Sequence, residues 1–206
     1  MRSLSRRSLL RGVSDLASRD ADLAAVVDRH GPPPLWGRQP GFATLVRIIL
    51  EQQVSLASAR AVYDRLCREL GSVNPRVIVA ADAARLRGCG LTRQKAAYCR
   101  ALALAVVERR LDLEALARED DETVAAALQE HPGIGPWTTD IYLLLALRRP
   151  DVWPRGDLAL AKAAQSVKRL RRLPDNARLA TMAERWAPWR AVAARILWHE
   201  YLSSRP

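Results

Sequence analysis

Gln129-Glu130-His131-Pro132-Gly133-Ile134-Gly135-Pro136-Trp137-Thr138 is the stretch whose reading decides the fold. Upstream, Asp121 to Gln129 carries Val124 and Leu128, with His131 continuing their helical spacing. Downstream, Trp137, Ile141, Leu144 and Leu145 repeat at the spacing of a second amphipathic helix. Pro132 ends the first helix, and Pro136 suits the first turn of the second, where a missing N–H costs nothing. Gly133 and Gly135 both permit a positive φ in a tight connection. The amides after them are expected to point outward at a helix N-terminus, which is a site for an anion such as a phosphate. The plainer reading is a tight helix–helix turn whose glycines serve geometry alone. A strongly basic chain favours phosphate.

The chain has 206 residues, of which 49% are hydrophobic, and a formal net charge of +11. That length supports one substantial core or two small lobes. The pI of about 10.7 and the excess of arginine over lysine point to a polyanionic partner or an acidic membrane face. No apolar run approaches the roughly 20 residues of a membrane span. Leu143 to Leu147 is apolar but short. Cys67, Cys89 and Cys99 are far apart and form no metal-binding pattern, so zinc and iron–sulfur sites are not expected. Buried free thiols of a reducing cytoplasm fit better. Residues 1–13, rich in Arg and Ser, read as a basic arm, frayed and near DNA rather than a transit peptide.

Taken in order, helices are expected over 14–30, 42–52, 55–70 and 92–109, with short ones after Pro75 and Asp82 and over 111–117. Ser55, Asp82, Thr92, Asp120 or Asp121, and Asp157 are candidate caps. Glu51-Gln52-Gln53-Val54-Ser55 is a polar break in an apolar pattern, and Gly88-Cys89-Gly90-Leu91 is a second glycine connector. After the extended loop 151–156, helices cover about 157–170, 176–186 and 188–202. No strand and no repeat is legible. The fold class is all-α, about ten helices.

Asp157, after Pro154-Arg155-Gly156, has an ordinary reading as an N-cap. A carboxylate fixed at a helix start near a DNA-binding hairpin can also stabilise an oxocarbenium-like transition state and orient water, as in glycoside hydrolysis.

The segment from His131 to Thr138, with Asp157 at this spacing, resembles the helix-hairpin-helix (HhH-GPD) DNA glycosylase superfamily. Within it the resemblance is greatest to the AlkA-like 3-methyladenine DNA glycosylases II. Ile49-Leu50-Glu51-Gln52-Gln53-Val54-Ser55 and Ala183-Glu184-Arg185-Trp186-Ala187-Pro188-Trp189-Arg190 resemble further family segments, and the likeness runs from about Gly41 to Tyr201. It implies an arrangement of the helices in two lobes around a cleft, and Asp157 as the catalytic residue. It implies Gly133, Gly135 and Thr138 as positions whose amides hold a DNA phosphate. Carbonyl oxygens of Gln129, His131 and Ile134 would hold Na⁺ or K⁺. Gln53 would fill the gap left by a flipped base, and Trp137 and Trp198 would line the base pocket.

Superfamily members that also cut the strand carry a lysine at the position of Trp137; an indole forms no Schiff base. Lys162 does not match that motif. The resemblance therefore implies a monofunctional hydrolase with no required cofactor. Its partner is double-stranded DNA with damaged bases, it acts as a monomer without a membrane, and its setting is the bacterial cytoplasm. A cationic alkylpurine is a good leaving group and can stack on an indole face. Leu158 and Ile141 replace aromatics common in the family, and the longer relatives carry a mixed α/β N-terminal domain that this sequence lacks. Trp186 and Trp189 are assigned to the core. Arg93 and Lys95 are candidate phosphate contacts, whereas Lys162, Lys168, Arg169, Arg171 and Arg172 read as a solvated helix face. Two rival readings remain open: a non-catalytic DNA-binding module, which would not need Asp157, and a glycosylase for oxidised or deaminated bases.

Overall fold

The computed structural model describes residues 3–204. Among them are thirteen α-helices and no strand. In order these are α1 (Arg6–Arg19), α2 (Ala21–His30), α3 (Phe42–Glu51), α4 (Leu56–Leu70), α5 (Pro75–Ala80), α6 (Ala83–Gly88), α7 (Arg93–Val107), α8 (Leu113–Leu116), α9 (Asp121–Gln129), α10 (Pro136–Leu145), α11 (Leu158–Val167), α12 (Asn176–Glu184) and α13 (Arg190–Ser203). Ser55, Asp82, Thr92, Asp120 and Asp157 each accept a backbone amide from the first turn that follows, as their positions predicted. The chain forms two compact units. One spans Arg38–Tyr142; the other joins residues 3–37 to residues 143–204 among those described.

In the first unit α3 is apolar on nearly every side. Phe42, Leu45, Val46, Ile48, Ile49 and Leu50 are all buried, and α3 packs against α4 and α7. A helix without a polar face belongs in a core. α7 packs in turn against α5 and α6. Arg38 grips Glu51 at the end of α3 through two hydrogen bonds of 2.7 and 2.9 Å. Cys89 and Cys99 are buried free thiols, as expected, and Cys67 is half-buried. Burial pushes the Cys99 thiol up to about 12 and so keeps it protonated.

In the second unit α13 is the central element. Ala191 to Leu197 are buried, including Arg195 at 0% exposure. The Arg195 guanidinium donates to the carbonyls of Ala191, Leu144 and Trp36. Burial, and then the nearby Arg148, depress its pKa to about 10, so it remains charged at neutral pH. Glu200 accepts from Arg29, His30 and Ser204, joining the end of α13 to α2. Trp186 is buried as expected, beside Trp153, and Trp189 packs partly buried on the same core.

Two expectations are corrected here. Within the segment 1–13, residues 4–13 are not a frayed arm. Met1 and Arg2 lie outside the described residues, but from Leu4 on the segment is part of the second unit. The Leu4 amide donates to the Arg148 carbonyl, Ser5 and Ser8 form a capping box, and Leu4, Leu9, Val13 and Leu16 are buried. The basic residues Arg6, Arg7 and Arg11 occupy the exposed face. The expected helix over 14–30 is in fact α1 and α2, divided at Asp20. That residue leaves helical geometry (φ −140°) and caps α2 through the amides of Asp22 and Leu23. Asp20 also takes Lys168 Nζ and, at 2.8 Å, Trp186 Nε1. Lys168 is thereby removed from the solvated face assigned to it; Lys162, Arg169, Arg171 and Arg172 are exposed.

Burial pushes the Asp20 carboxyl up. The hydrogen bonds from Lys168, Trp186 and the Leu23 amide outweigh it, and the net pKa lies below the usual 3.8. A depressed folded-state pKa means stability that is present above pH 3.8 and is lost as pH falls further. Asp20→Asn should cost about 1–3 kcal/mol at pH 7, the loss of hydrogen bonds to a charged group. The melting-temperature gap between wild type and variant should narrow as pH is lowered below about 4. Calorimetry across pH 3–7 checks this; a gap constant across that range contradicts it.

Candidate nucleic-acid interface and active site

In the first unit, α9 ends at Gln129 and α10 begins at Pro136. The two glycines between them do different work. Gly133 has φ +85°, and a Cβ there would sit 2.2 Å from the Tyr98 ring of α7. The turn is closed by the Ile134 amide donating to the His131 carbonyl at 3.1 Å, and Ile134 is buried at 4% exposure. Gly135 does not have a positive φ, and a Cβ there would meet nothing within 4 Å. Neither backbone geometry nor packing therefore requires a glycine at 135. A bare, open position at a helix start is what an external group needs for close approach.

The expectation of free amides after both glycines is corrected. The Ile134 amide is occupied by the turn, and the residue after Gly135 is proline, which has no N–H. The first helical bond of α10 runs from the Thr139 amide to the Gly135 carbonyl, so the Thr138 amide precedes it. Thr138 itself is buried at 2% exposure, and its hydroxyl accepts from Gln52 Nε2 at 2.9 Å. The same Gln52 nitrogen donates to the Gly133 carbonyl at 2.7 Å. Burial, more than any neighbouring charge, lowers the His131 pKa, so the imidazole is neutral at pH 7.

A cavity of about 560 Å³ opens beside this turn. It is bounded by residues 129–135 and by Gln52, Gln53, Gln94, Lys95 and Tyr98. Gln53 is exposed and holds a left-handed backbone, φ +57°. Lys95 does not reach outward as a phosphate contact. Its Nζ donates to the carbonyls of Leu50 (2.7 Å) and Gln52 (2.9 Å) at the end of α3, and burial lowers its pKa. Arg93, two residues earlier on α7, is exposed. Trp137 is half-buried, and Ile141 is buried at 4% exposure. The carbonyls of Gln129, His131 and Ile134 lie in or beside the turn; as hard oxygen donors they suit an alkali cation better than a transition metal. Among the described residues, no group of His, Cys, Asp and Glu is arranged to hold a metal ion.

In the second unit Asp157 caps α11, and its Oδ1 accepts the Leu160 amide at 2.9 Å. The same oxygen accepts Trp198 Nε1 at 3.3 Å. The ordinary N-cap reading is thus correct, and Asp157 is in addition half-buried and held by a second donor. Trp198, expected as an aromatic lining residue, presents its indole N–H to this carboxylate. Leu158 is 57% exposed.

Sequence reasoning missed Gln52 and Tyr98. Gln52 lay within the quoted polar break. The contacts of Tyr98 cross the chain and leave no local pattern.

A Gly-rich hairpin that joins two helices, followed by a doubly hydrogen-bonded aspartate at a later helix start, is the order of motifs by which the sequence resembles the HhH-GPD DNA glycosylases. The family comparison gives the same class: residues 46–191 match the HhH-GPD superfamily base excision DNA repair protein family, and the chain belongs to that family. DNA-3-methyladenine glycosylase 1 of Schizosaccharomyces pombe is 26% identical over 180 residues, covering 85% of this chain and 79% of its own length. The Bacillus subtilis protein YfjP, provisionally named a DNA-3-methyladenine glycosylase, is 27% identical over 184 residues, and the match spans 85% of this chain and 64% of that protein. Among solved structures, a 3-methyladenine DNA glycosylase of Schizosaccharomyces pombe in complex with abasic DNA superposes with a TM-score of 0.83, at 25% identity, over 91% of this chain and 95% of that one.

The two glycines should separate in experiment. Gly133→Ala combines a positive φ with overlap on Tyr98 and should cost about 2–4 kcal/mol of stability. Gly135→Ala should leave the melting temperature close to wild type and weaken binding to duplex DNA. Thermal melting and fluorescence anisotropy on both variants check this; a Gly135→Ala protein that binds DNA like wild type removes the phosphate role from that position.

Proposed function

We propose that this chain is a monofunctional DNA glycosylase of base excision repair. It turns an alkylated purine of the 3-methyladenine type out of duplex DNA and hydrolyses its N-glycosidic bond. The observation that carries the reading is the Asp157 carboxylate, fixed at the start of α11 by the Leu160 amide and the Trp198 indole N–H, in a chain of the HhH-GPD family.

The chemistry follows from that carboxylate. As the bond between C1′ and the purine nitrogen breaks, the electron pair leaves with the base and the sugar becomes oxocarbenium-like. An ionised Asp157 stabilises that positive charge. Water then adds to C1′ and gives up a proton, leaving an abasic site. The two donors on Oδ1 hold the carboxylate in one orientation, so little reorganisation is needed when charge develops. An N-alkylated purine is cationic and departs without strong general-acid help, and the Trp137 indole can attract it by stacking. With an indole at that position there is no amine to form a Schiff base, and the strand stays intact.

Binding is assigned to the hairpin and to exposed basic side chains. The bare Gly135 at the start of α10 admits a phosphate, and the backbone amides of Gly133, Gly135 and Thr138 are the donors in this reading. Carbonyls of Gln129, His131 and Ile134 would hold Na⁺ or K⁺, adding positive charge at the same phosphate. Arg93 would add a sequence-independent contact. Gln53 fills the place of the extruded nucleotide. No redox cofactor enters the chemistry. No helix among the described residues is long and apolar enough to cross a membrane. The reading places the protein as a monomer on nucleoid DNA in a bacterial cytoplasm.

The test is base release from methylated duplex DNA. Wild type should free methylpurines and leave strands that break only after alkali. Asp157→Asn should bind the same DNA and release bases at least about a hundredfold more slowly. Trp198→Phe retains the ring and removes the N–H; release should fall about ten- to a hundredfold, the value of one hydrogen bond to a charged group. Strand cutting without alkali would overturn the monofunctional reading. Absence of release from alkylated, oxidised and deaminated DNA alike would leave a passive DNA-binding module.

A further inference from the structure

Lys95 and Gln52 have no part in the chemistry above, yet both are committed to one small turn. The turn links α3 to α4, and Gln53 lies at its exposed point with φ +57°. A residue other than glycine in that region is held there only when its surroundings over-determine it. Two sets of bonds supply the constraint. Lys95 Nζ reaches from the first turn of α7 to the carbonyls of Leu50 and Gln52, placing an ammonium at the negative end of α3. The Gln52 side chain then donates across the unit to the Gly133 carbonyl and the Thr138 hydroxyl. The residue preceding Gln53 is thus fixed by its backbone to α7 and by its side chain to the hairpin. Lys95 Nζ, Gln52 and the hairpin form one continuous polar chain.

Resting on the glycosylase reading, we propose that Lys95 and Gln52 are positioning residues that act through Gln53. They hold it rigid as the probe that takes the place of an extruded nucleotide, at a fixed distance from the turn that grips the phosphate. A side chain pushed into a duplex meets the restoring force of base stacking. On a compliant turn it yields, and the base returns to the helix. Backed by two helices and the hairpin, it holds the gap open. The relay therefore governs the flipping equilibrium and leaves the bond-breaking step to Asp157.

The experiment uses a duplex carrying one 1,N6-ethenoadenine, an alkylated purine whose fluorescence rises when it leaves the stack. The lesion is placed opposite thymine in one duplex and opposite an abasic site in another, where extrusion is cheaper. Single-turnover release and the fluorescence rise on binding are measured for wild type, Lys95→Met, Lys95→Arg, Gln52→Met and Gln53→Ala. Lys95→Met and Gln52→Met should lose about tenfold or more in both signals on the thymine-paired lesion, and several-fold less opposite the abasic site. Lys95→Arg, which can still donate to two carbonyls, should recover most of the loss. Lys95→Met placed on Gln53→Ala should add little, because residues acting through one group are not additive.

Equal losses on the two duplexes, or full additivity with Gln53→Ala, would overturn the proposal. If Lys95→Met fails to fold by circular dichroism, Gln52→Met carries the same comparison. A wild type that raises the fluorescence but releases neither ethenoadenine nor, from methylated duplex DNA, a cationic methylpurine refutes the alkylpurine glycosylase reading alone, and the relay is then judged on fluorescence. A wild type that gives no fluorescence rise with either duplex refutes the relay.

Discussion

The ring of Tyr98 lies against a backbone that has no side chain, and the hairpin is built on that contact. Gly133 is the residue that lets α7 approach so closely, and its positive φ turns the chain back toward α10. The same residue offers its carbonyl to Gln52. One glycine therefore gives the hairpin its bend, its seat on α7 and its link to the end of α3. Gly135 has none of these duties. The contrast divides a motif that reads as a symmetric pair of glycines into a structural half and an open half. The open half is the one available to a ligand.

Under the proposed function, Asp157 joins stability and reactivity in one group. An N-cap is fixed in position by the need of a helix start for an acceptor. It is also a place where a carboxylate is held in a fixed orientation by hydrogen-bond donors. The Leu160 amide and the Trp198 N–H both bind Oδ1. Both fix the orientation of the carboxylate. The choice between an ordinary cap and a reactive group is thus not a choice between two geometries. The geometry is that of a cap, and what distinguishes it is the second donor, supplied by a tryptophan 41 residues further along the chain.

Legibility followed sequence distance. Caps at Ser55, Asp82, Thr92, Asp120 and Asp157 and the boundaries of the hairpin were readable because each is decided within a few residues. The amphipathic period of Leu9, Val13 and Leu16 was equally local. The Arg- and Ser-rich composition of the segment outweighed it, and a packed helix was taken for an arm. Lys95, Lys168 and Gln52 were misread or passed over, and the contact of Trp198 with Asp157 was not foreseen, for another reason. Their partners lie 41 to 148 residues away, and no spacing rule reaches that far. A lysine beside a glycine turn looks the same in sequence whether it points at a phosphate or at the end of a neighbouring helix.

That distinction changes what the net charge of +11 means. Lys95 and Arg195 both sit on neutral carbonyls, and among the described residues neither is seen paired with a carboxylate. Lys168, in contrast, is neutralised by Asp20 and Asp22. Uncancelled interior charge still adds to the field that draws a polyanion toward the protein. It cannot displace a condensed counterion, because it touches no phosphate. Attraction and grip are therefore carried by different residues: buried cations that also hold helix ends together contribute to the first, and exposed basic side chains and the hairpin backbone supply the second. Counting basic residues in the sequence measures the first quantity and overstates the second.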